Sequence, residues 1–574
     1  MPKSPLFVSA VLALLVGACA SQPAPVAATA APAQRLIPDP NTTPYGMYLA
    51  GRSALHQGRL EDAADYISGA ATAEGEPDFL RTDAFTTALL AGDVGEAAAL
   101  APTDDADNAA AVRLGVLVRG VEAMAQGKNK DAAALLGGPG VGYPHKAAAA
   151  LVAPWAAAAA GDAAGALVRP VFSGDRAAQF VADLGRAELT ERLGKVDDAD
   201  AQFKALATAG DGGDTLILAY GAFLERRGRR TEAADLYQAA LSADPSDPDF
   251  AAAKARVDRH GRPPAMVGLR QGAAQALVMP AAELVEQKDE KTALEYLRLA
   301  LRLDPGQDEA WVLVGDLLAD SDDEDGARAA YAVVGPASSH YLTARQKLAW
   351  SYQNSGDSEM ALKLARETAA AAPQSRAALV TLADLLREND QYPQSVVVLD
   401  KLIAQAGDRP DWRLYYLRAS AYDEAGQWPK AEADLQAALK LSPDEPELLN
   451  FLGYGWVDRG VHLQEGLAML QRAVDARPQS GAMIDSLGWA YYKTGDYKTA
   501  VEKLEQAVSL EPADADVNNH LGDAYWRAGR RVEAQFEWRR VLTLDPDDAL
   551  KAQVEAKLAS PNGPDAPIAP STTQ

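Results

Sequence analysis

The chain is 574 residues long, with 55 basic against 80 acidic side chains, a formal charge of −25 and one cysteine. That length implies several domains or one long array, and a single cysteine excludes a disulfide framework or a cysteine-rich zinc site. The acidic balance argues against nucleic acid or an anionic membrane surface as partner, since both need a positive field.

Taken in chain order, the first element is a short apolar run, Leu6 to Val16, preceded by one charged residue, Lys3. A single basic residue, a short apolar core and then small residues form the layout of a secretory signal peptide. The run is too short for a membrane-spanning helix, which needs about 20 apolar residues. It ends in Val16-Gly17-Ala18-Cys19, which resembles the lipobox of bacterial lipoproteins. The resemblance implies cleavage after residue 18, acylation of Cys19 and, with Ala20 following, the outer membrane. The expected localisation is therefore lipid-anchored at the outer membrane and facing the periplasm, with the acyl chains as the only membrane contact. Residues 19–44, carrying Pro23, Pro25, Pro32, Pro38, Pro40 and Pro44, have no apolar periodicity and are expected to be an extended tether. Residues 557–574 read as a disordered tail for the same reason.

Between them a 34-residue period dominates. Pro478, Pro512 and Pro546 are evenly spaced, and between them recur Leu487-Gly488 and Leu521-Gly522, Tyr491 and Tyr525, Gly495 and Gly529, Ala500 and Ala534, Leu504 and Trp538. The pattern continues upstream through Gly221, Gly228, Ala233, Tyr237, Ala240 and Pro245, through Trp311, Gly315, Ala327 and Tyr331, and through Leu348, Tyr352, Gly356 and Ala361. Another unit carries Tyr415, Ala419, Tyr422, Gly426, Ala431 and Pro443. These offsets resemble the tetratricopeptide repeat (TPR). The resemblance implies an all-α right-handed solenoid of helix pairs. Small residues let helices approach and large ones fill the space between them. Asp444, Asp514 and Asp547 follow the closing prolines, where helix N-termini favour acidic caps.

Two departures stand out. The unit from Pro446 is one residue longer than the period and has Gly466 where alanine is usual, and Asp390 stands where a turn glycine is expected. Between residues 80 and 175 the pattern dissolves into alanine-rich hairpins, Val112–Ala125 with Asp131–Leu136 and Lys146–Ala160 with Ala163–Val168, turning at Gly127 and Gly161. The segment Arg259 to Pro264 is the expected break between a degenerate N-terminal array, 45–258, and a C-terminal array, 266–556.

Chemistry is not evident. Gly137 to Gly142 lacks the Lys-Ser/Thr and the preceding strand of a phosphate loop. Asp320 to Gly326 loosely matches a calcium loop, but the twelfth position is Ala332 in place of a bidentate glutamate, so a helix cap is the better reading. The six histidines are scattered, and Cys19 would be consumed by its lipid. No enzyme, cofactor or metal is expected.

What remains is a surface. In the repeat family the first helix of each unit lines the concave face, and its fifth, ninth and twelfth positions point inward. Carried over, these are Asn450, Tyr454 and Val457, then Asp485, Trp489 and Tyr492, then Asn519, Asp523 and Trp526. Amides and carboxylates there would bond a peptide backbone and the rings would take its side chains. The alternative for each ring is packing between neighbouring units. Lipobox, tether and array together resemble outer-membrane lipoproteins that bind a carboxy-terminal processing protease and present envelope proteins to it. The expected function is thus a protein-binding scaffold, an adaptor for a periplasmic protease. An assembly factor for an outer-membrane machine (a pilus secretin, a β-barrel insertion complex or a polysaccharide exporter) is the alternative, and a cell-wall-binding or catalytic protein a remote one. The acidic body favours basic partners, with association slowing as salt rises.

Overall fold

A computed structural model describes residues 43–72, 78–103, 108–209, 213–244, 247–407 and 411–560. The expected signal peptide, Cys19, the tether up to residue 42, Pro245 and the tail from residue 561 lie outside the described residues. Among the described residues there are thirty α-helices and no strand. None of those helices is long and apolar enough to cross a membrane.

The chain divides into two compact units, one ending at Ala378 and one starting at Leu379. In the first, helices run in antiparallel pairs. They are α1 (Pro44–His56) with α2 (Leu60–Ala71), α3 (Asp78–Ala91) with α4 (Val94–Leu100), and α5 (Ala109–Ala125) with α6 (Asn129–Leu136). Then come α7 (Lys146–Ala159) with α8 (Ala163–Ala166), α9 (Arg176–Arg192) with α10 (Val196–Ala209), and α11 (Gly213–Arg226) with α12 (Arg230–Ala243). After α13 (Pro248–Asp258), pairing resumes as α14 (Leu269–Glu286) with α15 (Glu290–Leu303), α16 (Asp308–Asp320) with α17 (Glu324–Val333), and α18 (Tyr341–Asn354) with α19 (Ser358–Ala371). The division between the units falls within α20 (Arg376–Glu388), which is followed by α21 (Tyr392–Ala406). The second unit continues with α22 (Trp412–Glu424) and α23 (Trp428–Leu441), α24 (Pro446–Asp458) and α25 (Leu463–Ala476), α26 (Gly481–Thr494) and α27 (Tyr497–Leu510), and α28 (Ala515–Arg527) and α29 (Arg531–Val541). It closes with α30 (Asp548–Ala559), which runs three residues into the expected tail.

One contact recurs in six of the hairpins and, slipped by one residue, in a seventh. A glycine on the first helix faces a large side chain sixteen positions later on the second. A Cβ at Gly221 would stand 2.4 Å from Tyr237, at Gly315 2.3 Å from Tyr331, at Gly488 2.7 Å from Leu504 and at Gly522 2.5 Å from Trp538. Gly51 with Ile67 and Gly120 with Leu136 repeat the spacing, so the alanine-rich stretch follows the same hairpin register. Tyr237 and Trp538 are fully buried in these contacts, and each ring so buried contributes about 2–3 kcal/mol. In the long unit the partner slips by one to Leu470, 3.0 Å from the Gly453 position, and Gly466 is needed because its own Cβ would lie 2.9 Å from the Gly453 carbonyl. The two backbones meet there with no room for a methyl group.

Capping residues set most helix starts. Asp514 and Asp547 accept the backbone N–H of Val517 and Leu550 at 3.0 and 2.7 Å. Asp323 does the same for Gly326 at 2.9 Å, so the acidic run at 320–325 is a helix cap. Asp444 does not cap. It stands one residue before the N-cap position, which Glu445 takes two residues after Pro443 as Asp514 does after Pro512, and it pairs with Arg472 instead. The turn at Asp390 keeps the left-handed backbone of its glycine counterparts, with φ 59°, as does Lys288 with φ 64°.

Arg259 to Pro264 does not separate packed bodies. Helix α14 packs on α7 and α9, and α15 on α3 and α5, so residues 269–303 belong with the N-terminal helices in one unit. Proline and glycine there mark a turn in the chain, while the buried surface continues across it.

Candidate protein-binding face

In the second unit the first helices of successive pairs, α22, α24, α26 and α28, carry the nine predicted residues or flank them. Seven of the nine are buried: Val457, Asp485, Trp489, Tyr492, Asn519, Asp523 and Trp526. Asn450 and Tyr454 are half-buried.

The buried seven serve packing between neighbouring pairs. On α26, Trp489 stacks on Tyr492 with centroids 4.6 Å apart and, on its other side, on His520 of α28 at 4.2 Å. The Trp489 Nε1–H donates to Asp458 Oδ1 at 3.3 Å. Asp485 accepts from His520 Nδ1 at 2.9 and 3.0 Å. Burial alone would lower the His520 pKa, but the carboxylates of Asp485, Asp516 and Asp523 outweigh it and raise it above the ordinary imidazole value. On α28, Asn519 and Asp523 accept from Lys557 Nζ of α30 at 2.7 Å and at 2.7 and 2.8 Å, and Asp523 also accepts from Trp538 Nε1 at 3.1 Å. Trp526 lies tilted against Trp538 at 5.4 Å, under the guanidinium of Arg531. A polar side chain so placed is already satisfied and has little left for a ligand.

Toward α22 the residues of the same face are half-buried instead of buried. Tyr416 meets Phe451 edge-on at 5.6 Å and Trp412 at 6.3 Å, all three half-buried, and Arg413 beside them is exposed. The Oδ1 of Asn450 is buried with no hydrogen-bond partner, and at the equivalent position Asn519 has Lys557. Burial raises the Tyr454 phenol above its ordinary pKa, and nearby Asp458 and Asp485 add to the effect. Burial also raises the carboxyls of Asp384, to about 7, and of Asp423 and Asp516.

His520, Asp458 and Lys557 are the hydrogen-bonding neighbours of the predicted residues that motif reasoning passes over. Lys557 stands 34 positions after Asp523 (557 − 523), so the repeat spacing itself places it on the next first helix. Among the described residues no group of three or more His, Cys, Asp or Glu is arranged to hold a metal ion.

Stacked helix pairs presenting a ring-and-carboxylate face define a helical-repeat scaffold. Three stretches match repeat families: residues 488–529 match the TPR repeat, and residues 214–257 and 416–481 the tetratricopeptide repeat. These three stretches carry tetratricopeptide repeats, and such repeats indicate a protein–protein interaction scaffold. The chain is 28% identical over 113 residues to a TPR repeat-containing protein of Pseudomonas aeruginosa, a match spanning 20% of this chain and 19% of that one. Among solved structures it is similar to a chain of the APC/C hetero-tetramer Cut9-Hcn1 (16% identity, 90% of this chain and 96% of that one, TM-score 0.37). It is also similar to a tetratricopeptide repeat protein from Parabacteroides merdae (13% identity, 49% and 96%, TM-score 0.33).

Proposed function

We propose that the protein is a non-enzymatic adaptor of the bacterial cell envelope that gathers polypeptides and presents them to a periplasmic protease. The observation that carries the reading is the half-buried stretch of first-helix face at Tyr416, Asn450, Phe451 and Tyr454, where rings stand beside an amide oxygen lacking a donor. An extended segment with a basic side chain supplies that donor and meets the carboxyls of Asp384 and Asp516, whose charged forms burial disfavours. The envelope location rests on the Leu6–Val16 run and on Cys19, acylated as the outer-membrane hook.

A photo-crosslinking residue at Tyr416 or Tyr454 in living cells, followed by mass spectrometry, tests the partner. Recovery of a periplasmic protease supports the adaptor role. Recovery of outer-membrane channel components in its place selects an assembly factor. Fractionation of a Cys19→Ser chain tests the anchor separately, and a variant that stays with the outer membrane counts against acylation.

A further inference from the structure

In the first unit a small cavity has mainly apolar walls and yet receives two N–H groups that bond to nothing. It lies between α7, α9 and the segment that follows α8, with Leu151, Pro154, Val168, Pro170 and Val181 around it. Its volume is about 10 Å³, room for the polar end of one side chain and too little for a whole free metabolite.

Gly185 brings the first donor there. A Cβ at this position would stand 3.2 Å from Trp155 Nε1, so the bare backbone lets the N–H edge of the indole lie against α9, one residue from Arg186. Trp155 is 3% exposed, and among the described residues its Nε1–H has no acceptor. The second donor, Arg186 Nε, is buried and likewise has no partner. Asp183, one turn earlier on α9, does not serve it. Both Asp183 oxygens are held by Arg169, at 2.6 and 2.7 Å, and Oδ2 also accepts from Gln179 Nε2 at 3.1 Å. Two enclosed donors without an acceptor oppose burial, and a carboxylate is the acceptor that also balances the guanidinium charge.

The rim indicates what carries that carboxylate. Val168 is 58% exposed and Val171, three residues on, 77%. A polar recess edged by exposed aliphatic side chains suits an extended polypeptide, whose acidic residue enters while its apolar neighbours cover the valines. The cavity admits only the head group, so the rest of the ligand lies outside on that rim.

We propose that Arg186 and Trp155 form a docking pocket for an aspartate or glutamate side chain of an extended polypeptide with aliphatic residues beside it. Arg186 Nε donates a charge-assisted hydrogen bond to one carboxylate oxygen, and Trp155 Nε1–H donates to the same head group. The chain's formal charge of −25 repels such a ligand at long range. That field is screened beyond about 8 Å at physiological salt, and a partly buried contact is screened much less.

The test follows binding to the full chain by saturation-transfer NMR with three probes: acetyl-Val-Glu-Val-amide, acetyl-Val-Gln-Val-amide and free isovalerate. The glutamate peptide should bind about tenfold more tightly than the glutamine peptide. Arg186→Gln should remove that preference while the melting temperature holds or rises, since a buried cationic donor without an acceptor is lost. Val171→Ser, on the exposed rim, should weaken the glutamate peptide a few-fold and keep its advantage over glutamine. Equal binding of the two peptides, or a preference that survives Arg186→Gln, overturns the proposal. Isovalerate bound as tightly as the glutamate peptide also overturns it, because the pocket then takes small acids and the rim contributes nothing. So does the absence of binding by the glutamate peptide at about 10 mM, which leaves the cavity to water.

Discussion

Lys557 places its ammonium between the two carboxylate oxygens of Asp523, at 2.7 and 2.8 Å, and the Asn519 amide oxygen at 2.7 Å. The last helix therefore occupies the place of a further first helix and neutralises the acidic end of the array. Removing only the cation leaves a buried carboxylate unpaired, which costs roughly 3–5 kcal/mol. Lys557→Met should lower the stability of residues 379–560 by about 3 kcal/mol in urea titrations, and Asp523→Asn in the same chain should recover much of the loss.

His520 gives this unit a pH dependence of definite sign. Its folded pKa lies above the ordinary value of about 6.5, so the folded state holds the proton more tightly. The resulting stability is full below about pH 6.5 and is lost as pH rises through the folded pKa. Urea midpoints between pH 6 and 9 should fall with rising pH, and Asp485→Asn should flatten the slope.

His145 acts in the opposite direction. Buried beside Tyr296, it is depressed to about 4, so the unfolded chain takes up the proton first. The first unit should lose stability as pH falls from about 6.5 to about 4. Replacement by the isosteric His145→Gln should remove that part of the acid sensitivity in thermal melts.

Gly522 faces the Trp538 indole so closely that a Cβ there would stand 2.5 Å from the ring. Gly522→Ala forces the ring out of its slot and should cost roughly 1–3 kcal/mol. A compensating Trp538→Leu, which gives the alanine–leucine pair that Ala419 and Leu435 form in α22 and α23, should return part of it, read as a double-mutant cycle.

Lys288 is exposed and holds φ 64° at a turn where sister units have glycine. A left-handed backbone costs a side-chain-bearing residue about 1 kcal/mol. Lys288→Gly should raise the melting temperature of the first unit by a few degrees.

The hairpins were legible because their determinants are local. Gly522 and Trp538 sit sixteen residues apart, and even the alanine-rich stretch shows its turns through Gly127 and Gly161. The binding face was legible in direction but not in availability. Register turns Asp485 and Trp489 toward the neighbouring pair, yet whether they stay free depends on His520 one repeat later. The tail was read three residues too long because proline content masked Lys557, whose spacing from Asp523 continues the period. The closure of α15 on α5 left no trace, since Arg302 and Glu122 are 180 residues apart and no periodicity connects them.

That last separation also bears on how the molecule is made. A chain emerging N-terminus first completes α9 at Arg192 but cannot cover α3 through α9 until Leu303 has followed, about 111 residues later (303 − 192). At the usual 5–20 residues per second of synthesis, the bare helices wait on the order of ten seconds. During that delay the uncovered helices of a nascent chain are exposed to misassembly.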